Sequence, residues 1–198
     1  MDFEHPPHDP IAQAHKWFEE AATTGLPNPN AMTLATVSAD GRPSARIVLL
    51  KGFDAHGAVF FTNSTSRKGT EVAATGVAAL LFHWDPLDRQ IRIEGTVTRL
   101  TDAENDAYFA TRARGSQIGA WASAQSQPLD SRNTLEEAVE TMEAKFEGQD
   151  VPRPPYWGGY RVALEALEFW QGHPYRLHDR VVYRPNGEGG WTVQRLYP

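Results

Sequence analysis

The chain has 198 residues, 40% of them hydrophobic, which suits one folded domain with a buried core. Its 25 acidic and 19 basic residues leave a formal net charge of −6, which disfavours attraction of the whole surface to nucleic acid or to an anionic membrane. The absence of cysteine excludes disulfides, thiol nucleophiles and thiolate metal sites, and it fits a reducing cytoplasm, where the protein is expected.

Residues 1–10 hold three prolines and few apolar side chains, without the basic and apolar stretches of a signal peptide, and are expected to form a flexible arm. Residues 11–22 read as a helix with Ile11, Ala14, Trp17 and Phe18 along one face. A meander of strands follows, over 32–38, 44–53 and 59–63, with turns at Asp40-Gly41 and at 54–57. Ser64–Ser66 looks like a helix cap, and 67–75 a short helix ended by Gly76. Strands over 78–84 and 90–100 precede Thr101-Asp102-Ala103-Glu104, a capping box that opens a helix running to about Arg112. A helix over 133–146 places Leu135, Val139, Met142 and Phe146 on one stripe, and Pro-rich 152–155 precedes strands over 160–170, 180–183 and 191–196. No run of about 18 apolar residues suggests a membrane span. The expectation is one domain over 1–198, mainly β with inserted helices, in which six or more antiparallel strands close into a small decorated barrel.

The cations cluster in short ordered segments, so a basic pocket for a small anion is expected in an acidic protein. Ser66-Arg67-Lys68 joins two cations to the free N–H groups of a helix start, where phosphate is the natural guest; taken alone, the segment reads more readily as two solvated cations on a capped helix. In 46–51, Arg46 and Lys51 are five apart and on strand geometry point to opposite faces, as at the two ends of an ordinary strand. Tyr108 and Arg112 are four apart, with Ser116 continuing the series, an anion clamp or an ordinary surface pair. Trp170 to Arg180 concentrates aromatics, cations and two histidines at a strand end. His5 and His8 lack further ligands nearby, so no metal site is expected. The dinucleotide fingerprint, the Walker loop and the serine-hydrolase elbow are all absent, which leaves difficult chemistry to an organic cofactor.

In order along the chain, Arg46-Ile47-Val48-Leu49-Leu50-Lys51, Phe61-Thr62-Asn63, Ser66-Arg67-Lys68, Asp88-Arg89-Gln90, Ser116 to Trp121, Gln125-Ser126, Phe169-Trp170-Gln171-Gly172 and Arg176-Leu177-His178-Asp179-Arg180 resemble the pyridoxamine 5′-phosphate oxidase family. Each match is weak alone; the ordered set is specific. The resemblance implies an FMN-binding split β-barrel, antiparallel and Greek-key-like, working as a homodimer with FMN at the subunit interface. It implies FMN contacts from Arg46, Ile47, Val48, Leu49, Leu50, Lys51, Phe61, Thr62, Arg67, Lys68, Gln90, Gln125, Ser126, Trp170 and Arg180, with Arg67 and Lys68 on the phosphate. Lys51, Tyr108, Arg112 and Ser116 would hold the substrate phosphate, while Arg176, Leu177 and His178 would lie at the substrate ring, Arg176 and His178 in catalytic roles. The implied reaction oxidises pyridoxamine or pyridoxine 5′-phosphate to pyridoxal 5′-phosphate with O2 as acceptor, giving H2O2, and ammonia from the amine.

Phe61 departs from the family's frequent Tyr, His173-Pro174-Tyr175 fills a variable stretch, and the arm before Asp9 is shorter than in many relatives, which puts lid closure in question. Two rival readings remain: a related FMN oxidase acting on another ring system of phenazine type, and a non-catalytic carrier of flavin or pyridoxal phosphate. The carrier would be expected to lack the ring-positioning Arg176 or His178, and both are present.

Overall fold

The computed structural model describes every residue from Met1 to Pro198. Helix α1 (Pro10–Ala22) starts where the Asp9 carboxylate accepts from the N–H groups of Ile11 and Ala12, with Pro10 in the first turn, where its missing donor is not needed. The residues before it are not a loose arm. Phe3 is buried with its ring 6.5 Å from that of Trp17, the Pro7 carbonyl accepts from the Tyr183 hydroxyl at 2.9 Å, and Glu4 pairs with Arg195 at 2.6 Å. One aromatic anchor outweighs the proline-rich composition around it.

Ten strands follow: β1 (Ala31–Val37), β2 (Pro43–Leu49), β3 (Gly52–Asp54), β4 (Gly57–Asn63), β5 (Val77–Trp84), β6 (Arg89–Arg99), β7 (Trp157–Val162), β8 (Ala166–Gln171), β9 (Asp179–Pro185) and β10 (Trp191–Arg195). Between them lie α2 (Arg67–Thr75), α3 (Asp102–Ala110), α4 (Arg114–Ala122) and α5 (Arg132–Lys145). Every strand pair is antiparallel. The sheet runs β10-β9-β8-β6-β5-β1-β2, and β6 also pairs with β7, which pairs with β4.

Two single strands expected from the sequence are each divided, and the divisions make the barrel. The expected strand over 44–53 breaks after Leu49: the Leu50 N–H donates to the Asn30 carbonyl beside β1, while the Lys51 N–H donates to the Val59 carbonyl on β4. Two consecutive residues therefore hand the chain from one half of the sheet to the other. The expected strand over 160–170 breaks at 163–165, because β7 pairs with the end of β6 (Val97 to Arg99) and β8 with its beginning (Arg89 to Glu94). The crossover passes Gly95, where a Cβ would stand 2.1 Å from the Ala163 carbonyl oxygen.

Inside, the alternating burial of β1 turns Met32 and Leu34 onto a core with Phe60, Phe82, Trp84, Ile91 and Phe169, closed at one end by Ala14, Trp17 and Ala21 of α1. A smaller cluster of Phe109, Ile118, Phe146, Val151 and Trp157 packs α3 and α4 against β7. Helix α4 was not expected from the sequence. It starts without a side-chain cap and contains Gly115 and Gly119, so its local signals are weak.

Candidate active site

Helix α2 starts as its sequence requires. The Ser66 hydroxyl accepts from the Gly69 N–H at 3.3 Å and donates to the Asn63 carbonyl at 2.6 Å, and Gly76 ends the helix at φ 70°. Gly69 lets the helix sit directly on the end of β4, since a Cβ there would lie 2.5 Å from the Ser64 carbonyl oxygen. This places Lys68 at the wall of a cavity of about 320 Å³ at the seam between β2 and β4.

Four cations line that cavity, Arg46, Lys51, Lys68 and Arg112, and no carboxylate does. Arg46 and Lys51 share it rather than pointing to opposite faces, because the strand ends between them and the alternation ends with it. Ile47, Val48 and Leu49 line the same wall. Leu50 faces a neighbouring apolar hollow with Phe18 and Phe53, and Lys51 borders both. Thr62 and Lys68 both donate to the Gln125 side-chain oxygen, at 2.8 and 3.0 Å, which ties the chain beyond α4 to the barrel. Burial pushes the Lys68 ammonium below its ordinary value, and the nearby Arg46 charge adds to the effect.

Phe61, Tyr108 and Trp157 form a parallel aromatic stack, with ring centroids 4.0 Å apart for Phe61–Tyr108 and 5.1 Å for Phe61–Trp157. Arg112 lies over Trp157 at 4.7 Å, and its Nη1 is buried with no hydrogen-bond partner. Burial lowers its pKa as well. A desolvated guanidinium with an unused donor, in a cavity without carboxylates, is chemically matched to an anion. The expected shared face is only partly present. Helix α3 ends at Ala110, so Arg112 reaches the cavity from the turn beyond it, while Ser116 sits exposed in the first turn of α4, away from the cavity lining. Asn105 fixes α3 in place: its side chain accepts from the Gly159 N–H at 2.7 Å and donates to the Leu100 carbonyl at 3.2 Å.

Arg67, beside Lys68 at the start of α2, is not among the lining residues; its Nε lies 2.9 Å from Glu71. Ser126 is exposed at φ 71°, in the left-handed region that non-glycine residues seldom adopt.

The remaining expected residues form a second group, joined to the cavity by no hydrogen bond or ring contact. Ile91, Phe169 and Val181 face the core in one row across β6, β8 and β9, so their neighbours Gln90, Trp170 and Arg180 form the matching outward row. Arg180 donates to Glu168 at 2.8 Å, which raises its pKa. The His178 ring is 4.5 Å from that of Trp170, and its Nδ1 accepts the His173 backbone N–H at 3.1 Å. The neutral imidazole then carries its hydrogen on Nε2. Tyr175 and Arg176 are consecutive non-glycine residues at φ 61° and 62°, a strained turn that carries Arg176 outward without protein partners. Gly172 precedes it because a Cβ there would overlap the Asp88 carboxylate at 1.8 Å.

Trp157 and Asn105 were missed from the sequence. Trp157 follows a proline-rich break and carries no local pattern, and Asn105 reads as one more polar residue of an exposed helix. Larger hollows lie elsewhere. One of about 990 Å³ between α4 and α5 is lined by Glu140, Glu143, Glu147 and Asp150 as well as Arg114, a charge balance unsuited to an anion.

Fold and cavity together define a split β-barrel with a cation-lined cavity at its seam. The family model described as pyridoxamine 5′-phosphate oxidase matches residues 18–146, and the one described as the pyridoxine 5′-phosphate oxidase C-terminal dimerisation region matches residues 157–198. The pyridoxine/pyridoxamine 5′-phosphate oxidase of Cupriavidus taiwanensis is 59% identical over 190 residues, covering 96% of this chain and 89% of that protein. The protein of the same name from Myxococcus xanthus is 57% identical over 192 residues, covering 97% and 93%. Among solved structures, PhzG from Burkholderia lata 383, in complex with tetrahydrophenazine-1-carboxylic acid, superposes with a TM-score of 0.91 at 35% identity, covering 99% of this chain and 96% of that one. A pyridoxamine 5′-phosphate oxidase-related, FMN-binding protein from Nostoc punctiforme shares the fold at a TM-score of 0.76 and 16% identity, covering 98% and 100%. The chain belongs to the pyridoxamine 5′-phosphate oxidase family, and it is an oxidoreductase.

Proposed function

We propose that the protein oxidises pyridoxamine 5′-phosphate or pyridoxine 5′-phosphate to pyridoxal 5′-phosphate, with FMN as cofactor and O2 as electron acceptor, releasing H2O2 and, from the amine, ammonia. The observation that carries this reading is the single cavity lined by four cations, with the Arg112 Nη1 buried and unpartnered. The cations divide into two sets. Arg46 and Lys68, with Arg67 at the start of α2, suit the flavin phosphate; Lys51 and Arg112, beside Tyr108, suit the substrate phosphate. FMN would supply the acceptor for the hydride equivalent and the route of electrons to O2.

The chain's own part is alignment. Holding the phosphate at one end of the substrate fixes the position of the reacting carbon at the other, so no strong nucleophile is required. Arg176 and His178 would steady the substrate ring, His178 through its Nε2–H. Because they belong to the group on β8–β9, apart from the cavity, we propose a homodimer in which each site takes its cavity from one chain and its Arg176–His178 turn from the other. Exposed apolar side chains beside both groups, Ile47 at 64% and Leu177 at 69%, support this pairing, as does the matched dimerisation region. A soluble cytoplasmic setting is part of the same proposal; no helix is long and apolar enough to cross a membrane.

The likeness to PhzG favours one second reading, oxidation of a larger ring system. Reconstitution with FMN followed by addition of pyridoxamine 5′-phosphate in air separates the two. Formation of pyridoxal phosphate with equimolar peroxide is expected. Bound flavin with turnover only of a non-phosphorylated ring would overturn the proposal.

A further inference from the structure

Glu71, in the second turn of α2, is a carboxylate only 5% exposed that the preceding argument leaves unused. It accepts hydrogen bonds from four donors on three elements: Thr36 of β1, Ser44 of β2 at 2.5 Å, Arg46 Nη2 at 3.3 Å and, within α2, Arg67 Nε at 2.9 Å. Arg46 is further held by Thr36 and Ser44, each at 2.5 Å, so both of its terminal nitrogens are engaged on the Glu71 side. Arg67 touches Glu71 through Nε alone, which leaves its two terminal nitrogens without protein partners. One buried acid therefore sets the directions of two guanidinium groups that flank the start of α2. It also offsets the mutual repulsion of Arg46, Arg67 and Lys68 before any anion arrives.

We propose that Glu71 is a positioning residue for the flavin phosphate: its carboxylate holds Arg67 by Nε, which presents the free terminal nitrogens of Arg67 to a phosphate monoester at the start of α2, and it fixes behind them the charge of Arg46, whose terminal N–H groups are taken up by Leu34, Thr36, Ser44 and Glu71. The inference rests on the reading of this cavity as the FMN site. Two effects oppose each other in it. Removing the carboxylate makes the site more positive, which favours an anion; it also frees two long side chains that must then be ordered at the moment of binding. With four donors converging on one buried group, the ordering effect is expected to win.

The test compares FMN with riboflavin, which has the same ring and no phosphate, by quenching of flavin fluorescence on the apoprotein. Glu71→Gln keeps the shape and removes the charge. It should weaken FMN binding by about tenfold while leaving riboflavin binding within twofold of wild type, the scale of one charged hydrogen bond. Thr36→Val, a substitution at home in a strand, removes one donor to Glu71 and one hold on Arg46; it should move the same ratio in the same direction by less, and it decides the matter if Glu71→Gln does not fold. Equal weakening of FMN and riboflavin would make Glu71 merely a pin between helix and sheet, and unchanged or tighter FMN binding would leave it no positioning role; either result overturns the proposal. Failure of the wild-type protein to prefer FMN over riboflavin would instead overturn the assignment of the cavity.

Discussion

Arg112 lies across the face of Trp157 with one guanidinium nitrogen buried and unpartnered, so much of its desolvation is already complete before a ligand arrives. Arg112→Ala should therefore raise the KM for pyridoxamine 5′-phosphate by about 10- to 100-fold, the scale of a charged hydrogen bond in a dry site. Steady-state kinetics at saturating FMN checks this; an unchanged KM would remove Arg112 from the substrate grip. Arg176 stands differently, exposed on a strained turn with no partner of its own. Arg176→Ala or Arg176→Lys should depress turnover more than it depresses FMN retention, and equal loss of both would count against a role at the substrate ring. Glu71 connects the site to stability. Burial pulls its carboxyl upward, but hydrogen bonds from Ser44, Thr36, Arg67 and Arg46 outweigh that and bring it down to about 2. Because this folded value lies below the ordinary one near 4.5, the stabilisation is complete above about pH 4.5 and is lost as pH falls towards 2. Urea unfolding of wild type and Glu71→Gln across that window should show their stability difference shrinking by on the order of 3 kcal/mol. A difference independent of pH would mean that the carboxylate is not the titrating group.

At the scale of elements, the barrel depends on β6 serving two partners along its length, and Gly95 is the point where it changes from one to the other. Gly95→Ala would drive a methyl group into the Ala163 carbonyl and should cost about 1–3 kcal/mol, the usual range for overpacking. A shift in the urea midpoint measures it, and a neutral result would show that the crossover is not tightly seated. Helix ends were well legible in the sequence. Ser66 and Gly76 bound α2 as expected, and the Thr101–Glu104 capping box forms in both directions. The strand breaks were harder, because apolar residues continue through them. One signal was present: inward-facing residues run Tyr160, Val162, Leu164 and then Leu167, Phe169, so the parity changes from even to odd inside the crossover. Likewise, placing Arg46 and Lys51 on opposite faces assumed an unbroken strand, and the break at Leu50 brings them together. Trp157 and Asn105 were illegible for a different reason. Their roles arise from contacts with residues about 50 positions away, as in the bond between Asn105 and Gly159, and no local pattern encodes those.

At the scale of the molecule, the residues expected around one flavin fall into two groups on a single chain. Arg46, Lys51, Lys68 and Arg112 line the seam cavity, while Gln90, Trp170, His178 and Arg180 line the outer face of β6, β8 and β9. A symmetric dimer resolves this, since a two-fold axis that places the second group of one chain over the cavity of the other forms two identical sites at once. The protein should then sediment as a dimer and bind two FMN per dimer.

Co-expression of an Arg112→Ala chain with an Arg176→Ala chain tests that arrangement most directly. In a mixed dimer with shared sites, one site holds both substitutions and the other holds neither, so random pairing of two weakened parents, assayed at pyridoxamine 5′-phosphate well below the raised KM of Arg112→Ala, should restore about a quarter of wild-type activity. Activity no higher than the mean of the two parent variants would show that each chain builds its site alone, and would contradict the account.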